Sequence, residues 1–132
     1  MLRQAPRFAG EIMRRDVVTL ERDASIDHLD ASMRALGCGH LPVVDDGRVV
    51  GIVTERDLLR ATPAGPTTAS AIMTRHVHTI DASTPLSEAG RRMLERRIGC
   101  LPVVDGEGKL AGLVTASDFV ALAVQLLERN GA

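Results

Sequence analysis

The sequence predicts an α+β fold, in which two β-α-β-β-α motifs pack through their sheets about a pseudo-two-fold axis. Residues 39–45, Gly-His-Leu-Pro-Val-Val-Asp, return at 99–105 with a single substitution, and the pair Ile12-Met13 returns as Ile72-Met73. A repeat that covers nearly the whole chain indicates a tandem duplication. A unit of about 60 residues buries too little surface to be very stable by itself, so the two units are expected to cover each other's sheet faces.

The repeat divides the 132-residue chain into five segments. They are an N-terminal extension (1–9), motif 1 (10–61), a linker rich in proline and glycine (62–69), motif 2 (70–126) and a C-terminal tail (127–132). Proline and glycine interrupt regular structure, which is why the boundary between the motifs is placed at the linker.

Each motif is predicted to begin with a short β-branched strand, at residues 17–20 and 77–80. A helix with an apolar stripe follows; the stripe consists of Ile26, Leu29, Met33 and Leu36 in motif 1, and of Leu86, Ala89, Met93 and Leu94 in motif 2. The repeated Leu-Pro-Val-Val-Asp run then ends in a turn, which predicts a β-hairpin whose loop is one residue longer in motif 2.

A second helix is expected to start at Thr54 in motif 1 and at Thr115 in motif 2. Each threonine is followed three residues later by an aspartate, Asp57 or Asp118, which is the spacing of a capping box. Helix capping alone would be a sufficient explanation if the Thr-x-x-Asp sequence occurred only once. Two copies, each directly after a Gly-x-Val strand, also offer a carboxylate to a ribose diol and free backbone N–H groups to a phosphate. We therefore interpret the two Thr-x-x-Asp sequences as caps that also bind a ligand.

Composition argues against several other classes of protein. The net charge is −1 and the only aromatic residues are Phe8 and Phe119, so the chain has neither a basic field nor stacking platforms for nucleic acid. No apolar run reaches the roughly 20 residues of a membrane span and no secretion signal is recognisable, so a cytoplasmic location is expected. The sequence also lacks a nucleophile paired with a base, a glycine-rich phosphate loop and a three-ligand metal cluster, which argues against an enzyme and against a bound metal.

Three groups of reactive or charged residues have plain structural interpretations. Cys38 and Cys100 are expected to be buried, reduced thiols, as is usual in a cytosolic chain. His76 and His78 alternate on a predicted strand, which is more typical of a polar surface than of half a metal site. The arginines of the motif 2 helix are expected to form a solvated face; they are Arg91, Arg92, Arg96 and Arg97.

The order Ile-Met, Val-x-Thr, Gly-x-Leu-Pro-Val-Val-Asp and Gly-x-Val-Thr-x-x-Asp, given twice, resembles a tandem pair of CBS (cystathionine β-synthase) domains, a Bateman module, over residues 10–125. None of these motifs is specific to that family by itself, but their combination is. The resemblance implies two clefts that bind adenosine-containing ligands such as AMP, ADP, ATP or S-adenosylmethionine. Each cleft would combine strand residues of one motif with the Thr-x-x-Asp sequence of the other.

The resemblance also implies which residues form each cleft. The first cleft would use Val18, Cys38 and Gly39 around the base, with Leu113, Thr115 and Asp118 toward the ribose and phosphate. The second cleft would use His78, Ile98 and Gly99, with Ile52, Thr54, Arg56 and Asp57. Because Arg56 aligns with Ser117, the second cleft is expected to prefer ligands with more phosphates.

The function that follows is a regulatory module without enzymatic activity, which binds adenine nucleotides and acts through a homodimer or an unidentified protein partner. A wide apolar stripe on the last helix favours the homodimer; it comprises Phe119, Val120, Leu122 and Leu126. The alternative is a ligand-free structural or oligomerisation module with the same fold. A small enzyme that uses the cysteines or aspartates is a third hypothesis.

Overall fold

The computed structural model describes residues 4–26, 33, 39–60 and 67–131. The elements in chain order are α1 (Ala9–Ile12), β1 (Leu20–Glu21), β2 (His40–Asp45), β3 (Arg48–Thr54), α2 (Glu55–Arg60), α3 (Ala69–Ile72), α4 (Leu86–Arg96), β4 (Cys100–Val104), β5 (Leu110–Thr115) and α5 (Ala116–Arg129). The predicted α+β class is confirmed. Most of the helix predicted in motif 1 lies outside the described residues, although Met33 is described and is buried.

Both predicted hairpins are present and have the same register. β2 pairs antiparallel with β3, β4 pairs antiparallel with β5, and both hairpins carry an irregularity at the second of their adjacent valines. The first turn has two residues with positive φ, Asp46 at 53° and Gly47 at 79°. An Asp-Gly pair suits that tight turn, because both residues tolerate positive φ better than most.

The predicted first strands are mostly wrong. Only Leu20 and Glu21 form β1, parallel to β2, and in motif 2 only Ile80 makes a bridge, to Val103. The two apolar residues that suggested longer strands, Val17 and Val77, instead pack on a cluster shared by both halves. In each half, the first residues of the predicted strand therefore lie away from the sheet, and its last residue, Leu20 or Ile80, pairs with the hairpin.

The helix predicted in motif 2 is confirmed as α4, with one error in its buried stripe. Leu86, Ala89 and Met93 are buried, whereas Leu94 is 82% exposed. One residue is about 100° of helical rotation, so a side chain directly after a buried one turns away from the core.

The short helix α1 belongs in space to the second half of the molecule. The N–H of Ala9 donates to the carbonyl of Thr84 at 2.9 Å, and Arg14 and Leu113 exchange two backbone hydrogen bonds of 2.9 Å. Ala9 and Met13 are buried in the core cluster of motif 2, which also contains Leu101, Val103 and Val114.

The short helix α3, in turn, packs on the first half of the molecule. The N–H of Ala69 donates to the carbonyl of Ala24 at 2.8 Å, and Thr74 and Ile52 exchange two hydrogen bonds of 2.8 and 3.0 Å. Ala69 and Met73 are buried in the core cluster of motif 1, with Val43 and Val53. Each Ile-Met pair therefore closes the core of the opposite motif, and neither motif is complete without the segment that precedes the other.

The two halves also meet along a seam between the hairpins. Ile52, Cys100 and Leu113 form a buried cluster that draws on both copies. At the turn end, the N–H of Leu110 donates to the carbonyl of Gly47 at 3.0 Å, which joins one hairpin to the other. The seam places the start of α2 beside the chain that enters motif 2.

Candidate functional site

The start of α2 is held by the predicted capping box. The backbone N–H and the hydroxyl of Thr54 both donate to Oδ2 of Asp57, at 2.9 and 3.1 Å. The N–H of Asp57 donates back to the Thr54 hydroxyl at 3.2 Å. The other carboxylate oxygen of Asp57, Oδ1, has no part in the cap. The hydroxyl of Thr74 lies 3.3 Å from Oδ1 and 3.4 Å from Oδ2, so it can donate to either oxygen.

The start of α5 repeats this arrangement. The N–H and the hydroxyl of Thr115 donate to Oδ2 of Asp118, at 2.8 and 3.1 Å. Oδ1 of Asp118, however, accepts from Nε of Arg14 at 3.2 Å. The two predicted carboxylates therefore have the same cap and different outer partners.

A cleft of about 540 Å³ lies between the start of α2 and the chain that enters and leaves α4. Its volume is in the range of small-molecule sites. It is lined by Gly39, His40, Ile52, Thr54, Glu55, Arg56, Asp57, Thr74, His76, Val77, His78, Arg97, Ile98, Gly99 and Cys100. All seven residues that the sequence analysis assigned to the second cleft are in this set, so the structure brings them together. Their part in binding remains a prediction.

The residues assigned to the first cleft are less completely gathered. Leu113, Thr115 and Asp118 lie together around the start of α5, and Val18 is exposed. Cys38 lies outside the described residues. Gly39 lines the cleft that contains Asp57 (the Asp57 cleft), because the starts of β2 and β4 meet at the seam, where His40 approaches Gly99. We call the predicted first cleft, around Asp118, the Asp118 cleft.

Charged and titratable side chains line the Asp57 cleft densely. Arg56 and Arg97 bring two fixed positive charges, while Glu55 and Asp57 bring two negative ones. Three imidazoles, those of His40, His76 and His78, also line the cleft. Nη1 of Arg96 lies 3.3 Å from Nε2 of His78.

Burial lowers the pKa of His40 below its ordinary value of 6.5, and the nearby negative charge of Glu55 opposes that shift. Burial also raises the pKa of Cys100 to about 12, which makes this free thiol unreactive. The prediction of a buried, reduced thiol is therefore confirmed for Cys100. Within the described residues, no group of three or more His, Cys, Asp or Glu side chains could hold a metal ion.

Arg97 lines the cleft because of an unusual backbone. It ends α4 in the left-handed region, with φ 54° and ψ 47°, and its N–H donates to the carbonyl of Met93. The repeat-equivalent residue is Gly37, the usual choice for this conformation. Arg97 is exposed, as predicted, but it follows the last residue of α4 in a left-handed turn and lines the cleft. An arginine aligned with a glycine was the signal that could have identified it.

Sequence reasoning also missed Thr74, His76 and His40 as cleft residues. Thr74 follows the Ile-Met pair, and only the exchange of short helices between the halves brings it to Asp57.

None of the described helices is both long enough and apolar enough to cross a bilayer.

The chain is thus a duplication whose halves complete each other's cores and meet at a cleft. The model of the CBS domain family matches residues 9–64 and again 69–125. The chain belongs to the CBS domain family.

Two kinds of relative support this membership. A CBS domain-containing protein of Dictyostelium discoideum is 35% identical over 133 residues, which cover 89% of this chain and 92% of that protein. A solved CBS domain pair in complex with 5′-methylthioadenosine and S-adenosyl-L-methionine is 30% identical, with a TM-score of 0.82 and coverage of 91% and 98%. CBSX2 in complex with AMP is 29% identical, with a TM-score of 0.83 and coverage of 92% and 98%.

Other relatives are enzymes that are much longer than the matched region. The homoserine O-acetyltransferase of Methanosalsum zhilinae is 35% identical over 111 residues, yet the match covers only 23% of its length. The similarity to these enzymes is therefore a similarity to one part of them.

Proposed function

We propose that this CBS domain pair is a sensor module that binds an adenosine nucleotide in the Asp57 cleft. The observation that carries the proposal is the convergence of an uncapped carboxylate oxygen, two arginines and an aliphatic wall on one cleft. The carboxylate accepts the ribose diol, the arginines bind phosphate, and Ile52 and Ile98 enclose the base. The related domain pairs solved with AMP and with S-adenosyl-L-methionine support this class of ligand.

Among adenosine ligands, the charges of the cleft favour AMP, ADP or ATP over S-adenosylmethionine. Arg56 and Arg97 lie on separate elements, so they can contact different parts of a phosphate chain. S-adenosylmethionine has no phosphate chain that could contact both arginines. A cytoplasmic location agrees with these ligands and with a reduced Cys100.

Isothermal titration of the whole chain with adenosine, AMP, ADP, ATP and S-adenosylmethionine tests the proposal. The informative variant is Asp57→Asn, because its side-chain oxygen can still accept the N–H of Thr54 and keep the cap. Replacing the charge weakens nucleotide binding by roughly 10-fold, the difference between a charge-assisted and a neutral hydrogen bond. Asp57→Ala removes the acceptor and costs about 10- to 150-fold in affinity.

Glu107→Gln is the matched control, because it removes one carboxylate from the β4–β5 loop and leaves the cleft intact. It should bind like the wild type. Absence of binding for every adenosine compound, or equal affinities for the wild type and Asp57→Asn, would contradict the proposed site.

We further propose that the module acts as a homodimer through α5, or through a protein partner that covers the same face. Val120 and Leu127 on this helix are 64% and 58% exposed, and Val124 shares their face. Phe119 is not part of this surface, since it packs on the core of motif 2. A regulatory output needs such a surface, because a ligand acts by shifting the balance between two states that the partner distinguishes.

The exposed face of α5 is also the observation that favours the second candidate, a ligand-free interaction module. Light scattering at micromolar concentration tests the homodimer, with Leu127→Glu expected to give a monomer and Lys109→Glu, in the β4–β5 loop, to remain a dimer. A dimer that binds none of the adenosine compounds supports the interaction module; a wild-type monomer contradicts the homodimer.

A further inference from the structure

The carboxylates of Asp57 and Asp118 occupy equivalent positions but differ in what reaches their free oxygen. In both, Oδ2 accepts the N–H and the hydroxyl of the capping threonine. Oδ1 is therefore the oxygen that a ligand would use in either copy. The residue that contacts Oδ1 is Thr74 in one copy and Arg14 in the other.

The same backbone arrangement delivers both residues. Arg14 exchanges two backbone hydrogen bonds with Leu113, just as Thr74 does with Ile52, and each follows the Met of an exchanged Ile-Met pair. Arg14 and Thr74 therefore occupy equivalent backbone positions in the two halves. The difference in what contacts Oδ1 comes from their side chains.

The two contacts present different barriers to a ribose. The Thr74 hydroxyl is neutral, and it can rotate to accept a hydrogen bond from an incoming diol. The Arg14 guanidinium is permanently charged and cannot accept a hydrogen bond. It pairs with a carboxylate whose side chain is only 11% exposed, although the arginine itself is 64% exposed. A neutral ribose hydroxyl must compete with this charged donor for a largely buried acceptor.

We propose that Arg14 is a specificity-determining residue that closes the Asp118 cleft to a ribose diol. The module then binds one nucleoside ligand per chain, in the Asp57 cleft. This inference rests on the proposed function. A charge-assisted hydrogen bond is about twice as strong as a neutral one, so the Asp118 cleft binds adenosine roughly 10-fold more weakly than it would without Arg14.

Exchange of the two residues tests the inference. Arg14→Thr gives the Asp118 cleft the residue that the other copy carries, and Arg15→Thr removes the same charge from the next position as a control. The probes are adenosine, which has no phosphate, and AMP. At adenosine concentrations that fill the Asp57 cleft but lie below the dissociation constant of the Asp118 cleft, isothermal titration should show one adenosine per chain for the wild type and Arg15→Thr, and two for Arg14→Thr.

A second pair of variants assigns the events to clefts. In the Asp57→Asn background, Arg14→Thr strengthens the remaining adenosine binding by roughly 10-fold. Thr74→Arg performs the reverse experiment and weakens binding in the Asp57 cleft by a similar factor. Circular dichroism and thermal unfolding establish that each variant is folded.

The possible outcomes separate this inference from the proposed function. Two equal sites in the wild type, or one site in Arg14→Thr, would overturn the role of Arg14 and leave the nucleotide site at Asp57 standing. Weaker AMP binding with unchanged adenosine binding in Arg14→Thr would make Arg14 a phosphate ligand instead, and would also overturn the inference. No binding of either probe by any variant would refute both proposals together.

Discussion

Met13 lies so close over Gly112 that a Cβ atom added to the glycine would be 2.7 Å from its Sδ atom. The carbonyl oxygen of Arg14 would be 2.9 Å from the same Cβ atom. Met73 and Gly51 repeat the contact in the other half. The glycine of each Gly-x-Val strand therefore makes room for the methionine that the opposite segment contributes.

Gly112→Ala should destabilise the protein, because the added methyl group must displace both a methionine and a backbone carbonyl. We expect a loss of about 1–3 kcal/mol in the free energy of unfolding, measured by urea denaturation. Gly106→Ala is the control, since a Cβ atom there meets nothing within 4 Å. Equal free energies of unfolding for the two variants would contradict this prediction, because they would show that the segment around Met13 can move aside without loss of stability.

Arg97→Gly should change stability and binding in opposite directions. Relief of the left-handed conformation is expected to raise the free energy of unfolding by about 1 kcal/mol. Loss of the guanidinium from the cleft should weaken ATP binding by about 10-fold, with little effect on adenosine. Arg56→Ser, the companion variant, should lower the preference for ATP over AMP without the gain in stability. Unchanged ATP affinity in Arg97→Gly would remove Arg97 from the site.

The half-buried imidazole of His40 should make stability depend on pH. Because burial lowers its pKa in the folded protein, the unfolded chain binds more protons just below pH 6.5. The stabilisation is complete above pH 6.5 and is lost as the pH falls through the lower pKa of the folded state. His40→Asn should reduce this slope, as measured by urea denaturation between pH 5 and 8. At pH 8 the two proteins differ only in packing, and an identical slope below pH 6.5 would count against the half-buried imidazole.

Cys100 should resist alkylation while the protein is folded. With a pKa of about 12 instead of the ordinary 9.0, its thiolate population at pH 8 is about 1,000-fold lower. In a Cys38→Ala background, iodoacetamide labelling followed by mass spectrometry should be slow in buffer and fast in urea. Rapid labelling of the folded variant would show that the seam around Cys100 opens readily.

The features that were predictable from sequence depend on short-range patterns. The capping boxes at Thr54 and Thr115 follow from a three-residue spacing, and the hairpins follow from apolar runs that end in Asp-Gly-type turns. Repetition of these patterns, together with the resemblance to known domain pairs, was enough to place seven residues around one cleft.

The features that were missed depend on contacts between distant parts of the chain. No local pattern shows that Met13 enters the core of motif 2, or that Arg14 then meets Asp118. The position of Arg97 in the cleft was missed because its left-handed backbone ends the helix on whose periodicity the prediction relied. The strands predicted around Val17 and Val77 failed because β-branched residues favour both strands and buried crossings.

The exchange of short helices also sets an order of events during synthesis. α1 and Met13 leave the ribosome well before β5, the strand that pairs with Arg14. The core of motif 1 likewise remains open until α3 has been made. A nascent chain that stops after motif 1 therefore lacks the helix that completes its own core, and carries one that packs on a motif not yet translated, so that both cores are complete only after β5 has been made.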